Sequence, residues 1–144
     1  NYADTVCSGG VCKVTSPALS NGTVGYWAVK AKNAVGSSSY SSTVQFKVSI
    51  VPATPSQSGP VGNVATTTPE YTWNEVSGAT SYDLYTNIGG TATVTNYADT
   101  VCSGGVCKVT SPALANGTVG YWAVKARNVA GTSPYSSTIQ FKIQ

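Results

Sequence analysis

NYADTVCSGGVCKVTSPAL, Asn1–Leu19, returns letter for letter at Asn96–Leu114, and the match then runs on to the end of the chain. Each copy continues through NGTVGYWAVKA, then Lys32 or Arg127 and an asparagine, into a closing S-S-T-V/I-Q-F-K-V/I stretch. The offset is 95 residues, from residue 1 to residue 96, and nine positions differ over the overlap: Ser20/Ala115, Lys32/Arg127, Ala34/Val129, Val35/Ala130, Ser37/Thr132, Ser39/Pro134, Val44/Ile139, Val48/Ile143 and Ser49/Gln144. Most of these swaps keep volume or polarity, so both copies are expected to adopt one structure. A period of this length is the size of a small globular domain, not of a solenoid repeat. On this reading the chain holds one whole unit, residues 51–144, opened by a linker at 51–60, and one half unit, residues 1–50, that carries only the later part of the repeat.

Thr, Ser, Val, Gly and Tyr are abundant, Met and His are absent, and no long amphipathic helical pattern is present. Short strands joined by turns follow, hence an all-β sandwich or barrel. Eight basic residues against five acidic ones give a net charge of +3. The cations are spread singly along strands and never gather with interleaved aromatics, so nucleic acid is not an expected partner. No apolar run approaches the roughly 18 residues that cross a bilayer, so membrane insertion is not expected. A start at Asn1, without Met or a basic-then-apolar leader, is expected of a processed product or an excerpt of a longer chain.

Cys7 and Cys12 form C-SGGV-C, and Cys102 with Cys107 repeats it. Four cysteines permit three pairings, and Ser-Gly-Gly between strand-like flanks turns tightly enough to favour the local one. A zinc site would need all four thiolates on one metal, or His ligands that the chain lacks. Two local disulfides imply an oxidising, extracytoplasmic compartment.

Turn signals then divide the chain. The first block reads as a strand, the cystine turn and a short strand near Lys13–Thr15, followed by the Asn21-Gly22 turn, a long strand from Val24 to Asn33, and a last strand from Thr43 to Ile50. The whole unit adds strands at Glu70–Asn74, Ser81–Thr86 and Thr91–Tyr97. Period-two alternation puts Tyr71 and Trp73 on one buried face and Tyr82 and Leu84 on another. It buries Trp122, Val124 and Ala126 while turning Tyr121, Ala123, Lys125 and Arg127 outward, and it buries Ile139, Phe141 and Ile143.

The run Leu114-x3-Thr118, then Val124-x-Ala126-x-Asn128-x2-Gly131-x-Ser133-Pro134-x-Ser136, resembles the second half of a fibronectin type III domain. Tyr71-x-Trp73 followed by Ala79-x2-Tyr82-x-Leu84 resembles its first half, in particular the bacterial extracellular variants with W-x-x-V-x-G-A-x-x-Y. The resemblance implies that each of the tandem repeats read from the duplication is a seven-stranded, two-sheet Greek-key sandwich. Gly120 departs from it, standing where the family usually has its corner tyrosine; Trp122 is expected to fill the space.

No His and no convergent carboxylates are available for an acid/base pair or a triad, so no enzymatic activity, cofactor or metal site is expected. Asn21-Gly22-Thr23 and Asn116-Gly117-Thr118 match the N-glycosylation pattern, although Asn-Gly is also what a tight turn demands. The resembled fold sets outward-facing Tyr85 and Tyr121 on neighbouring strands, with Lys125 and Arg127 on the same face. They read either as sheet packing or as a contact for a neighbouring module or a glycan. The half unit lacks the strands bearing Tyr71, Trp73, Tyr82 and Leu84, so its apolar face would be bare and a copy of residues 51–95 is expected to precede it. Near-identical, cystine-stapled modules in series read as a structural repeat of a secreted fibre, filament or adhesive cell-surface stalk, its partners the neighbouring copies. The alternative is a spacer or carbohydrate-binding accessory module of a secreted polysaccharide-degrading enzyme.

Non-reducing peptide mapping is expected to recover Cys7–Cys12 and Cys102–Cys107 each within one short peptide. A Cys7–Cys102 cross-link would contradict the local pairing.

Overall fold

Alternating large apolar and polar residues, punctuated by glycine turns, build short strands, with single 3-10 turns at Asp4–Val6 and Asp99–Val101, in residues 4–144, which the computed structural model describes. Asn1–Ala3, where the first strand was expected to start, lie outside the described residues. The chain divides into two compact units, Asn1–Ser49 and Ile50–Gln144. In the first, β1 (Cys7–Ser8) pairs with β2 (Val11–Cys12), and β3 (Val24–Trp27) with β4 (Val44–Lys47).

The second unit contains β5 (Gln57–Gly59), β6 (Gly62–Val64), β7 (Glu70–Asn74), β8 (Ser81–Ile88), β9 (Thr91–Ala98), β10 (Cys102–Ser103), β11 (Val106–Thr110), β12 (Val119–Asn128), β13 (Gly131–Thr132) and β14 (Ile139–Ile143). They form two sheets. One runs β10-β11-β7-β5; the other runs β6-β14-β12-β8-β9, with β13 on the end of β12. β5 and β6 are one strand divided between the sheets. Counting them together and setting aside the two-residue β10 and β13 leaves the seven strands of the expected sandwich.

The inner faces meet as parity requires. Trp73, Trp122, Tyr82, Phe141, Ile143 and Val124 are the largest fully buried side chains. Tyr71 stands edge-on to Trp122 at 5.4 Å and to Phe141 at 6.1 Å, and Trp73 lies 5.5 Å from Tyr82. Edge-to-face contacts of this kind stabilise by about 0.5–1.5 kcal/mol beyond burial. The Trp122 indole N–H donates to the Pro60 carbonyl at 2.9 Å, so its one polar atom is satisfied inside the core. The Val76 N–H likewise donates to the buried Tyr82 hydroxyl at 2.8 Å.

The short strand expected near Lys13–Thr15 lies instead at Val11–Cys12, and the last strand expected at Thr43–Ile50 is regular only over Val44–Lys47. The stretch read as a linker, 51–60, belongs to the sandwich: Gln57–Gly59 pairs with β7, and Pro52, Pro55 and Pro60 are buried. Proline cannot donate in a ladder, but an edge strand leaves room for it. The space above Gly120 is taken by Phe141 and Ile88, not Trp122; a Cβ there would lie 2.4 Å from the Phe141 ring. Finally, the long strand expected at Val24–Asn33 is regular only over Val24–Trp27, whereas its copy β12 runs the full ten residues. β12 is held along its length by β8, from Ser81↔Arg127 to Ile88↔Gly120, and among the described residues the first unit has no counterpart of β8.

Burial follows the same division. Trp122 is fully buried, whereas its copy Trp27 is 54% exposed. Trp122→Ala is therefore expected to destabilise the second unit by about 3–5 kcal/mol, through lost burial and cavity formation. Trp27→Ala should shift stability by no more than about 0.5 kcal/mol. Denaturant midpoints of the two variants check the ranking.

Candidate contact face

Along β8 the residues between the buried Tyr82 and Leu84, and beyond, are Asp83, Tyr85 and Asn87; along β12 the outward set is Tyr121, Ala123, Lys125 and Arg127. Register places Asp83 opposite Lys125, Tyr85 opposite Ala123 and Asn87 opposite Tyr121. Tyr85 and Tyr121 are thus diagonal neighbours rather than a facing pair. The ring that Tyr85 meets is Tyr135, edge-on at 6.3 Å, from the segment between β13 and β14. Lys125 lies over that same ring, 4.7 Å from its centroid.

Asp83 ties the two cations down. It is only 4% exposed. Its Oδ2 accepts from Arg127 at 2.9 Å and lies 3.5 Å from the Lys125 Nζ, while its Oδ1 accepts from Asn96 at 2.7 Å. Burial alone would raise the carboxyl's pKa, but hydrogen bonds from Asn96 and Arg127 and the charges of Arg127 and Lys125 hold it below the ordinary value. Lys125 and Arg127 therefore act first as partners of Asp83. What the face offers outward is the 40%-exposed Tyr121, the half-buried Tyr85, Tyr135 and Val94.

Both cystines are formed, Cys7–Cys12 and Cys102–Cys107, each between directly opposed residues of a hairpin. The turn inside each is Gly9-Gly10 or Gly104-Gly105 with positive φ throughout, which is why two glycines stand there: a type I′ turn matches strand twist and excludes most side chains. Asn21 and Asn116 sit exposed in turns closed by Thr23 N–H to Ser20 O and Thr118 N–H to Ala115 O. Gly22 and Gly117 supply the positive φ of 84° that a type II turn needs at its third position.

Between β9 and the end of β11 the sheets leave a cleft of about 290 Å³, lined by Tyr71, Leu84, Thr86, Thr93, Tyr97 and Leu114 among others. Hydroxyls and apolar groups alternate there, without a nucleophile–base pair. Among the described residues no three His, Cys, Asp or Glu side chains gather as a metal cage. The residues that sequence reading missed are Asp83, Asn96 and Tyr135. Asp83 was accessible in principle, because parity turns it outward between Tyr82 and Leu84. Its partners were not, since register between β8, β9 and β12 had to be known.

No family model and no curated protein matches the sequence. Solved structures do match in fold. The chicken CNTN1 FN1-FN3 domains superpose with a TM-score of 0.53 at 20% identity, covering 88% of this chain and 44% of that one. The rat CD45 extracellular region, domains d3-d4, gives 0.56 at 14% identity, covering 93% and 72%. The structure titled FN3tt gives 0.50 at 20% identity, covering 66% of this chain and 97% of its own. The chain thus spans less than half the length of the CNTN1 fragment. With the two-sheet order above, these likenesses define the class: a fibronectin type III-like β-sandwich.

Asp83→Asn is expected to cost about 1–3 kcal/mol at neutral pH, by removing a charged acceptor from two cations. Because the folded-state pKa of Asp83 is depressed, its contribution is present above the ordinary aspartate range and lost as pH falls through it and below. The gap between wild-type and Asp83→Asn stability should therefore close on acidification, which urea melts between neutral and acidic pH will read.

Proposed function

We propose that the chain is a stretch of an extracellular array of fibronectin type III-like modules, serving as structural repeats of a bacterial surface fibre or adhesive stalk. The observation that carries this is the duplication: 49 residues recur 95 positions on with nine substitutions, most of them conservative. Six of the nine differences lie at exposed positions of the second copy, yet the outward-facing Tyr26/Tyr121 and Lys30/Lys125 are identical. A function that depends on many equivalent units fits such uniformity. The cystines support an oxidising, extracytoplasmic setting. Trp73-x-x-Val76-x-Gly78-Ala79-x-x-Tyr82 supports the bacterial extracellular variant of the fold. Neighbouring copies are the main partners of such a module, and the face of Tyr85, Tyr121 and Tyr135 is the surface on which glycan contact is to be sought.

Sequencing the intact native protein tests the proposal. Further copies at the same spacing, without a catalytic domain, are expected. A catalytic domain beside only two copies would make them accessory modules of a secreted enzyme, and glycan-array binding lost on Tyr85→Ala or Tyr121→Ala would support that reading.

A further inference from the structure

One sequence in two surroundings defines what is missing from one of them. In the second unit the block 96–144 is closed by residues 50–95. Pro60 accepts from the Trp122 indole, Tyr71 packs edge-on against Trp122 and Phe141, Ser81–Ile88 pairs along β12, and Asp83 sits between Lys125 and Arg127. In the first unit the matching apolar residues Trp27, Val29, Val44 and Phe46 are all exposed. Lys30 is already placed over Tyr40 at 4.9 Å, as Lys125 is over Tyr135 at 4.7 Å. Among the described residues, neither Lys30 nor Lys32 has the carboxylate that Asp83 provides to their copies.

We infer that the face formed by Trp27, Val29, Val44 and Phe46, with Lys30 and Lys32 beside it, is the docking surface for a second copy of the Val51–Thr95 sequence carried by the same polypeptide and entering at Asn1. Two complementarities select this occupant. Its Tyr71 and Trp73 strand supplies the opposing apolar sheet, and its Asp83 supplies the one charge the lysines lack. Continuity selects the source, because β9 runs unbroken through Thr91–Ala98, across the junction between Thr95 and the duplicated block. In the second unit the last strand of segment 51–95 and the start of the block are one strand, a continuity that a separate chain would have to interrupt. The inference rests on the array reading for the source of the segment alone.

The test is a chain extended at its N-terminus by its own residues 51–95, joined directly to Asn1 and compared with the 144-residue chain by amide hydrogen exchange. Residues 20–32 should slow by at least about tenfold, toward the rate of residues 115–127 in the same molecule, which serve as the internal standard. The extended chain with Asp→Asn at the added copy of Asp83 should lose part of that protection. Free segment 51–95 added in trans at equal concentration should protect less. Unchanged exchange of 20–32 in the extended chain, with 115–127 still protected, would overturn the docking. Equal protection in trans would overturn the single-chain source. The array reading fails on a different result, a native protein without further copies, and leaves these outcomes untouched.

Discussion

Burial of Trp122 between the two sheets is the interaction on which the rest of the sandwich depends. Its ring is walled by Tyr71 from the opposite sheet, its N–H is met by the Pro60 carbonyl, and its own carbonyl accepts from the Gln57 side chain at 3.2 Å. Each of those partners comes from residues 50–95, none from the duplicated block. Core formation is therefore a contract between the two halves of the repeat. A buried aromatic of this size contributes several kcal/mol only when both walls are present.

The duplication separates what a segment folds by itself from what its surroundings impose. The cystine hairpin with its Gly-Gly turn recurs in both copies, as does the stacking of Phe46 or Phe141 over Gly25 or Gly120. Asn33 accepts from Val35 and Gly36 just as Asn128 accepts from Ala130 and Gly131. Ser38 and Ser41 bind the backbone of Ala31 and Val29 as Ser133 and Ser136 bind Ala126 and Val124. These are contacts over short sequence distances, and they need no second sheet. The ten-residue regularity of β12 and the burial of Trp122, Val124 and Phe141 do not recur, because they require β7 and β8.

This division also explains how much was legible in the sequence. Parity was legible: Tyr71, Trp73, Tyr82, Leu84, Trp122, Val124, Ala126, Phe141 and Ile143 all face inward as alternation requires. The cystine pairing was legible because glycine chemistry fixes it locally. Gln57–Gly59 was hidden, since prolines around it mimic a linker and only its edge position allows a strand. The contact face was half legible. Parity pointed Tyr85, Tyr121, Lys125 and Arg127 outward, but register decides that Tyr85 meets Tyr135 and that Asp83 captures both cations.

Hydrogen exchange in the unextended chain measures the central claim most directly, since residues 21–31 and 116–126 are identical in sequence and share intrinsic exchange rates. Peptides reaching Ser20 or Lys32 in one copy, and Ala115 or Arg127 in the other, tell the two apart by mass. Strong protection of Ala123 and Lys125, whose amides lie against β8, with near-intrinsic exchange of their copies Ala28 and Lys30, is the predicted result. Equal protection of both copies would contradict the dependence of this fold on its opposing sheet.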